Sequence, residues 1–129
     1  IPDSAEQAFA VLRQIQNENK YIQRIAVKSD HEISFLRCEQ IDWIESEDNY
    51  VLVHSGKHTH MIRESMNSME QSLNPAHFLR IHRGILVNVD RIREMRGSSL
   101  ILEDGSALPV SRRMKPRVKE FFLKPHIFF

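Results

Sequence analysis

From Gln23 onward, apolar residues recur at every second position in short runs: Ile25/Val27, Ile33/Phe35, Ile41/Trp43, Val51/Val53, Ile85/Val87/Val89, Leu100/Leu102 and Leu108/Val110. A period of two puts one set of side chains on one face of an extended chain, so each run reads as a strand with a buried side. Ser29-Asp30, Asp48-Asn49, Ser55-Gly56, Gly97-Ser98 and Asp104-Gly105 separate many of the runs, and these residue types suit tight reversals. Connections that short return the chain beside itself, which makes the pairing antiparallel. The expected product is a mainly β domain with small helices.

Two helical pieces interrupt the pattern. Residues 65–73 place Met66, Met69 and Leu73 on one helical face and stop at Asn74-Pro75. A second helix is expected from near Lys115, with Met114, Val118 and Phe121 in line and Pro116 held in its first turn. A third helix is expected over residues 3–19, where Ala5, Ala8, Phe9, Leu12 and Ile15 follow helical spacing behind capping-box candidates at Asp3/Glu6 and Ser4/Gln7. Residues 1–22 read most simply as a linker helix to a neighbour domain, with packing on this domain or pairing with a second copy as equal alternatives, 23–122 as the domain and 123–129 as a tail. The start at Ile1-Pro2-Asp3 reads as a piece cut from a longer chain.

At 129 residues the chain is long enough for one real core. Its apolar runs fall short of the ~20 residues a membrane helix needs. The lone Cys38 excludes an internal disulfide framework and fits a reducing cytoplasm; its plainest role is that of a small buried side chain.

Net charge is only +1, but its distribution is uneven. Residues 1–64 carry 7 Lys/Arg against 11 Asp/Glu, and residues 65–129 carry 11 against 6. Five cations and no acid lie between Ser111 and Lys119. One side of the molecule should be basic, and a basic side attracts polyanions whatever the net charge. The stretch Phe78-Leu79-Arg80-Ile81-His82-Arg83-Gly84-Ile85-Leu86-Val87-Asn88 alternates apolar residues with Arg and His and then breaks at a glycine. Such spacing suits a strand whose buried edge fixes the backbone while a flanking turn holds out donors to an anion.

Other chemistries fit less well. If Ser55-Gly56 forms a two-residue hairpin turn, His54 faces Lys57, while His58 and His60 share the opposite face. Three ligands then fail to gather around one zinc ion. Glu45, Glu47 and Asp48 stand at a strand end, where acids are usually solvated. No glycine-rich phosphate loop or nucleophile elbow is present, so no enzyme and no cofactor are expected. A protein-interaction module built on strand edges or the Phe128/Phe129 tail is a rival to nucleic-acid binding. For the latter, Asn49 stands in a turn with its amide free to read a base edge. Arg83 precedes a glycine that lets backbone approach a surface, and Arg112 and Arg113 lie just before a helix N-terminus.

Four ordered motifs carry a family resemblance. Ile41-Asp42-Trp43-Ile44-Glu45-Ser46-Glu47-Asp48-Asn49-Tyr50-Val51 resembles the I-x-x-I-E-A-x-x-N-Y-V signature of LytTR-type DNA-binding domains of bacterial response regulators. Arg63-Glu64-Ser65-Met66-Asn67-Ser68-Met69-Glu70 resembles R-x-S-L-x-x-L-E. Residues 78–88 resemble F-x-R-I-H-R-S-x-I-V-N, and Leu108-Pro109-Val110-Ser111-Arg112-Arg113 resembles L-P-V-S-R-R. Coverage is about residues 23–122.

The resemblance implies an elongated sandwich of short antiparallel sheets whose loops enter successive major grooves and touch the minor groove between them. It implies base contacts by Asn49 and Arg112 in the major groove and by Arg83 over the intervening backbone and minor groove. His82, Gly84, Ser111, Arg113 and Lys115 would contact phosphates. Implied partners are double-stranded DNA, probed as direct repeats by a dimer, and a receiver domain upstream, with no membrane. Gly84 stands where the family has Ser, which leaves a backbone N–H as that position's phosphate donor. Met66 and Met69 replace leucines, a swap cores tolerate, and Pro116 is unusual in the last helix.

Overall fold

Period-two patterning in this chain becomes a central sheet whose strand at Ile85–Asn88 is buried on both faces, while its edge at His58–Ile62 stays largely open to solvent. A computed structural model describes residues 20–123; the helix expected over residues 3–19 and the tail past Leu123 lie outside them. Ten strands among the described residues form three antiparallel sheets. A hairpin of β1 (Arg24–Lys28) and β2 (Ile33–Arg37) stands alone as a pair. The central sheet has the order β5-β4-β3-β7-β6, with β3 at Trp43–Glu47, β4 at Tyr50–Ser55, β5 at His58–Ile62, β6 at Phe78–His82 and β7 at Ile85–Asn88. The third sheet is β8 (Ile92–Arg96), β9 (Ser99–Leu102) and β10 (Ala107–Pro109), in the order β10-β9-β8.

Alternation in the central strands serves two cores. Ile44, Val51, Val53, Phe78 and Leu86 pack with Ile25 and Cys38 and with helix α1 (Met66–Ser72) through Met66, Met69 and the following Leu73. Leu79, Ile81, Ile85 and Val87 point the other way, onto Leu100, Leu102, Leu108 and Val110 of the third sheet region and Val118 of helix α2 (Lys115–Leu123). Because both faces of β7 are covered, Ile85-Leu86-Val87 reads as a continuous apolar run where a one-sided strand would alternate. Each such side chain contributes roughly 1.5–3 kcal/mol by leaving water.

Local signals set the helix starts. The Ser65 hydroxyl accepts from the Ser68 N–H at 3.0 Å and caps α1. Helix α2 begins at Lys115 as expected, so Pro116 falls in the first turn, where no intrahelical donor is missed.

Three expectations change. Ile33 and Phe35, expected on the buried side of their strand, are 59% and 60% exposed, because the β1–β2 pair is covered on one face only and there Leu36 packs against the core. The turn between β4 and β5 uses Gly56 and Lys57, one residue later than the spacing suggested, so His54 pairs with Thr59 and His60 with Val53. Gly56 has φ 59°, a left-handed conformation that suits glycine at this turn. Strand β8 was not among the period-two runs, because a register shift between Ile92 and Glu94 lets Ile92 and Met95, three residues apart, both meet the second core.

Candidate nucleic-acid interface

Strand pairing brings three turns to one end of the central sheet. Strands β3 and β4 reverse at Asp48-Asn49, where Asp48 takes a left-handed φ of 52° that Asp and Asn tolerate. Glu45 of β3 lies opposite Ile85 of β7, and one step further the Ser46 N–H donates to the Gly84 carbonyl at 2.9 Å. The Arg83–Gly84 turn between β6 and β7 therefore sits beside the Asn49 turn. The third turn is attached to the same end, since the Ser111 N–H donates to the Ile81 carbonyl at 2.9 Å.

On these turns Asn49, Arg83, Arg112 and Arg113 are exposed. Among the described residues, none of the four side chains enters a hydrogen bond or ion pair with another residue. The structure holds the remaining candidates more firmly. The Gly84 N–H, expected as a free donor, donates to Nδ1 of His82 at 3.1 Å. An Nδ1 that accepts leaves the imidazole proton on Nε2, so the donor of this pair is the outer nitrogen of His82. Ser111 Oγ accepts from the Met114 N–H at 3.3 Å, which keeps its own O–H available, and the Ser111 carbonyl accepts from Lys115 N–H at 3.0 Å. Lys115 Nζ donates to Ser98 Oγ at 3.3 Å, tying it to the β8–β9 turn.

Arg80 is a residue that the sequence reading left without a role. Its side chain is only 9% exposed, and it makes an ion pair with Glu70 of α1 at 2.9 Å. Nη1 also donates to Asn67 Oδ1 at 3.2 Å, Nε to the His82 carbonyl at 3.1 Å, and Nη2 to the Arg83 carbonyl. One planar guanidinium thus pins the β6–β7 turn to α1, a geometry that suits arginine's fixed fork. A bulge between Arg80 and His82 accompanies it. The available signal was a cation between Leu79 and Ile81, on the face that carries Phe78.

The histidines cluster differently. His54 stacks on Trp43 with centroids 4.1 Å apart, and its two nitrogens meet Glu45 Oε1 at 2.9 Å and Thr59 Oγ1 at 3.2 Å. His58 and His60 lie on the other face with centroids 6.4 Å apart. Among the described residues no three His, Cys, Asp or Glu side chains group in a way that could hold a metal ion, and no helix is long and apolar enough to cross a membrane.

Fold and site together define a small β scaffold that presents basic and amide side chains on turns at one sheet end. The chain belongs to the LytTr DNA-binding domain family, whose model matches residues 31–123. Among curated relatives it is 27% identical over 110 residues to the sensory transduction protein LytT of Bacillus subtilis (strain 168), covering 81% of this chain and 46% of that protein. It is 30% identical over 95 residues to the transcriptional regulatory protein LytR of Staphylococcus aureus (strain MW2), covering 70% of this chain and 39% of that one. The chain thus spans less than half the length of these relatives. Its fold matches the LytTr DNA-binding domain of a methyl-accepting/DNA response regulator from Bacillus cereus, with a TM-score of 0.69 at 21% identity over 78% of this chain and 97% of that one.

Proposed function

We propose that this chain binds double-stranded DNA in a sequence-specific manner as the output domain of a two-component transcriptional regulator. The observation that carries the reading is the gathering of the Asn49, Arg83 and Arg112 turns at one sheet end, with all three side chains exposed. Asn49 and Arg112 are the major-groove readers, since an amide matches adenine and a guanidinium matches guanine in two-bond geometry. Arg83, between them, lies over the backbone and minor groove. His82, through Nε2, and Ser111, Arg113 and Lys115 position the phosphates. Gly84 serves the interface through His82, whose tautomer its N–H sets.

The names of the relatives support the regulatory context: one is a transcriptional regulatory protein and another a sensory transduction protein. The wider arrangement follows from that context. An upstream receiver domain joins through the linker segment at residues 1–22, and two copies occupy direct repeats in the cytoplasm. The work done is recognition, with no chemical step.

Selection of bound sequences from a random duplex pool tests this. The parent chain should enrich one motif, and Arg112→Ala should change part of it at a cost of roughly 1–3 kcal/mol per base contact removed. Recovery of an unchanged motif with Arg112→Ala would remove Arg112 as a base reader. Binding that is flat across a salt series would remove the DNA reading altogether.

A further inference from the structure

Ser46 stands on β3 at the rim between the Asn49 and Arg83 turns, exposed to solvent. A Cβ built on Gly84 would lie 2.7 Å from Ser46 Oγ and 3.7 Å from His82 Nδ1. The hydroxyl therefore occupies the space in which a side chain at position 84 would begin. Gly84 is not among the positive-φ glycines, so its backbone conformation does not demand glycine; its missing Cβ makes room for Ser46. Among the described residues the Ser46 hydroxyl has no hydrogen-bond partner. Strand alternation turns Glu45 and Glu47 to the opposite face, where Glu45 is engaged by His54. The groups beside Ser46 are instead His82 and the Arg83–Gly84 turn.

We propose that Ser46 is a DNA-backbone contact whose hydroxyl donates to a phosphate oxygen over the Arg83–Gly84 turn, next to Nε2 of His82. An exposed hydroxyl without an internal acceptor is the kind of neutral donor that proteins place against phosphates. The inference rests on the DNA-binding reading above. It adds a contact from β3, between two turns already assigned.

The test uses a fluorescein-labelled duplex carrying the motif that the parent chain selects, with anisotropy as the readout and thermal melting alongside. Ser46→Ala should bind roughly three- to tenfold more weakly, the size of one hydrogen bond. Its salt slope should equal the parent's, because no charge is lost. In the double variant Ser46→Ala/Gly84→Ser, the vacated space accepts a hydroxyl from the other side, and affinity should return to within about twofold of the parent. Equal affinity of parent and Ser46→Ala overturns the proposal. So does a double variant that stays as weak as Ser46→Ala while melting like the parent. A parent chain that binds no duplex overturns the DNA-binding reading itself and this contact with it.

Discussion

The Ser111 N–H donates to the Ile81 carbonyl at 2.9 Å, and that bond attaches the turn bearing Arg112 to the strand that leads into Arg83. Spacing between these two arginines is therefore set by β6, a strand whose Leu79 and Ile81 are buried. A loop free of the sheet would leave it to chain entropy. Rigid placement matters because base readout needs donors held within a few tenths of an ångström of groove acceptors, whereas a phosphate contact tolerates more slack.

From this division of labour, charge and specificity should separate. Arg113→Ala should weaken binding to all duplexes by a similar factor and make the fall of log affinity with log salt shallower by about one. Asn49→Ala should leave that slope unchanged and lower discrimination among sequences. Anisotropy titrations at several salt concentrations, on selected and scrambled duplexes, check both. A slope change with Asn49→Ala, or a motif change with Arg113→Ala, would contradict the assignment.

Arg80 should matter to both stability and binding. Arg80→Met leaves Glu70 and the His82 and Arg83 carbonyls without their shared donor, a loss on the order of 1–3 kcal/mol because Glu70 is itself partly in water. Arg80→Lys keeps the charge and loses the fork, so it should melt closer to the parent than Arg80→Met does. Its DNA affinity should still fall, since the Arg83 turn is no longer pinned. Thermal melting paired with duplex titration distinguishes the two effects, and parent-like affinity in Arg80→Lys would show that the turn holds itself.

Cys38 supplies a pH signature. Burial pushes its thiol above the ordinary value of 9.0, and the S–H faces the Ile22 carbonyl at 3.6 Å. The neutral thiol is favoured in the folded chain, so its contribution is complete below about pH 9 and is lost as pH rises through the folded value. The stability advantage of the parent over Cys38→Ala should therefore be constant from about pH 6 to about pH 8 and shrink toward about pH 10. Urea midpoints of the two proteins across that range measure it, and an advantage that grows with pH would contradict it.

Much of the architecture was legible because turn chemistry and alternation agree. The helix stop before Asn74-Pro75, the Pro116 position in α2 and the Asp48-Asn49 reversal all rest on single-residue preferences that tertiary contacts do not override. Strand β8 was not legible, since a bulge shifts the phase of Ile92 against Met95 and a fixed period cannot register that. The β4–β5 turn slipped by one residue for a related reason: Ser55-Gly56 and Gly56-Lys57 both offer a glycine, and only the register across the sheet chooses. At the candidate interface, the exposure of Asn49, Arg83, Arg112 and Arg113 was readable from their residue types. The positions of Arg80 and Ser46 were not, because their partners, Glu70 and Gly84, lie 10 and 38 residues away along the chain.

Asn88 separates a structural from a recognition role within the same motif. It is polar yet only 2% exposed. Its Nδ2 donates to the Ile41 carbonyl at 2.8 Å, its Oδ1 accepts from the Asp90 N–H at 3.0 Å, and its own N–H donates to the Asp42 carbonyl at 3.0 Å. The side chain therefore staples the end of β7 to the segment entering β3, at the end of the sheet away from the three turns. Asn88→Ala leaves a buried carbonyl and a cap N–H without partners, at a cost of about 2–4 kcal/mol. Asn88→Asp keeps the acceptor for Asp90 but sets a carboxylate against the Ile41 carbonyl, so it should be at least as destabilising. Urea unfolding gives the size of the loss. Duplex affinity measured well below the melting transition should be within about twofold of the parent for Asn88→Ala, because the defect acts on the folded fraction. A loss of affinity in fully folded Asn88→Ala would move this asparagine into the DNA interface.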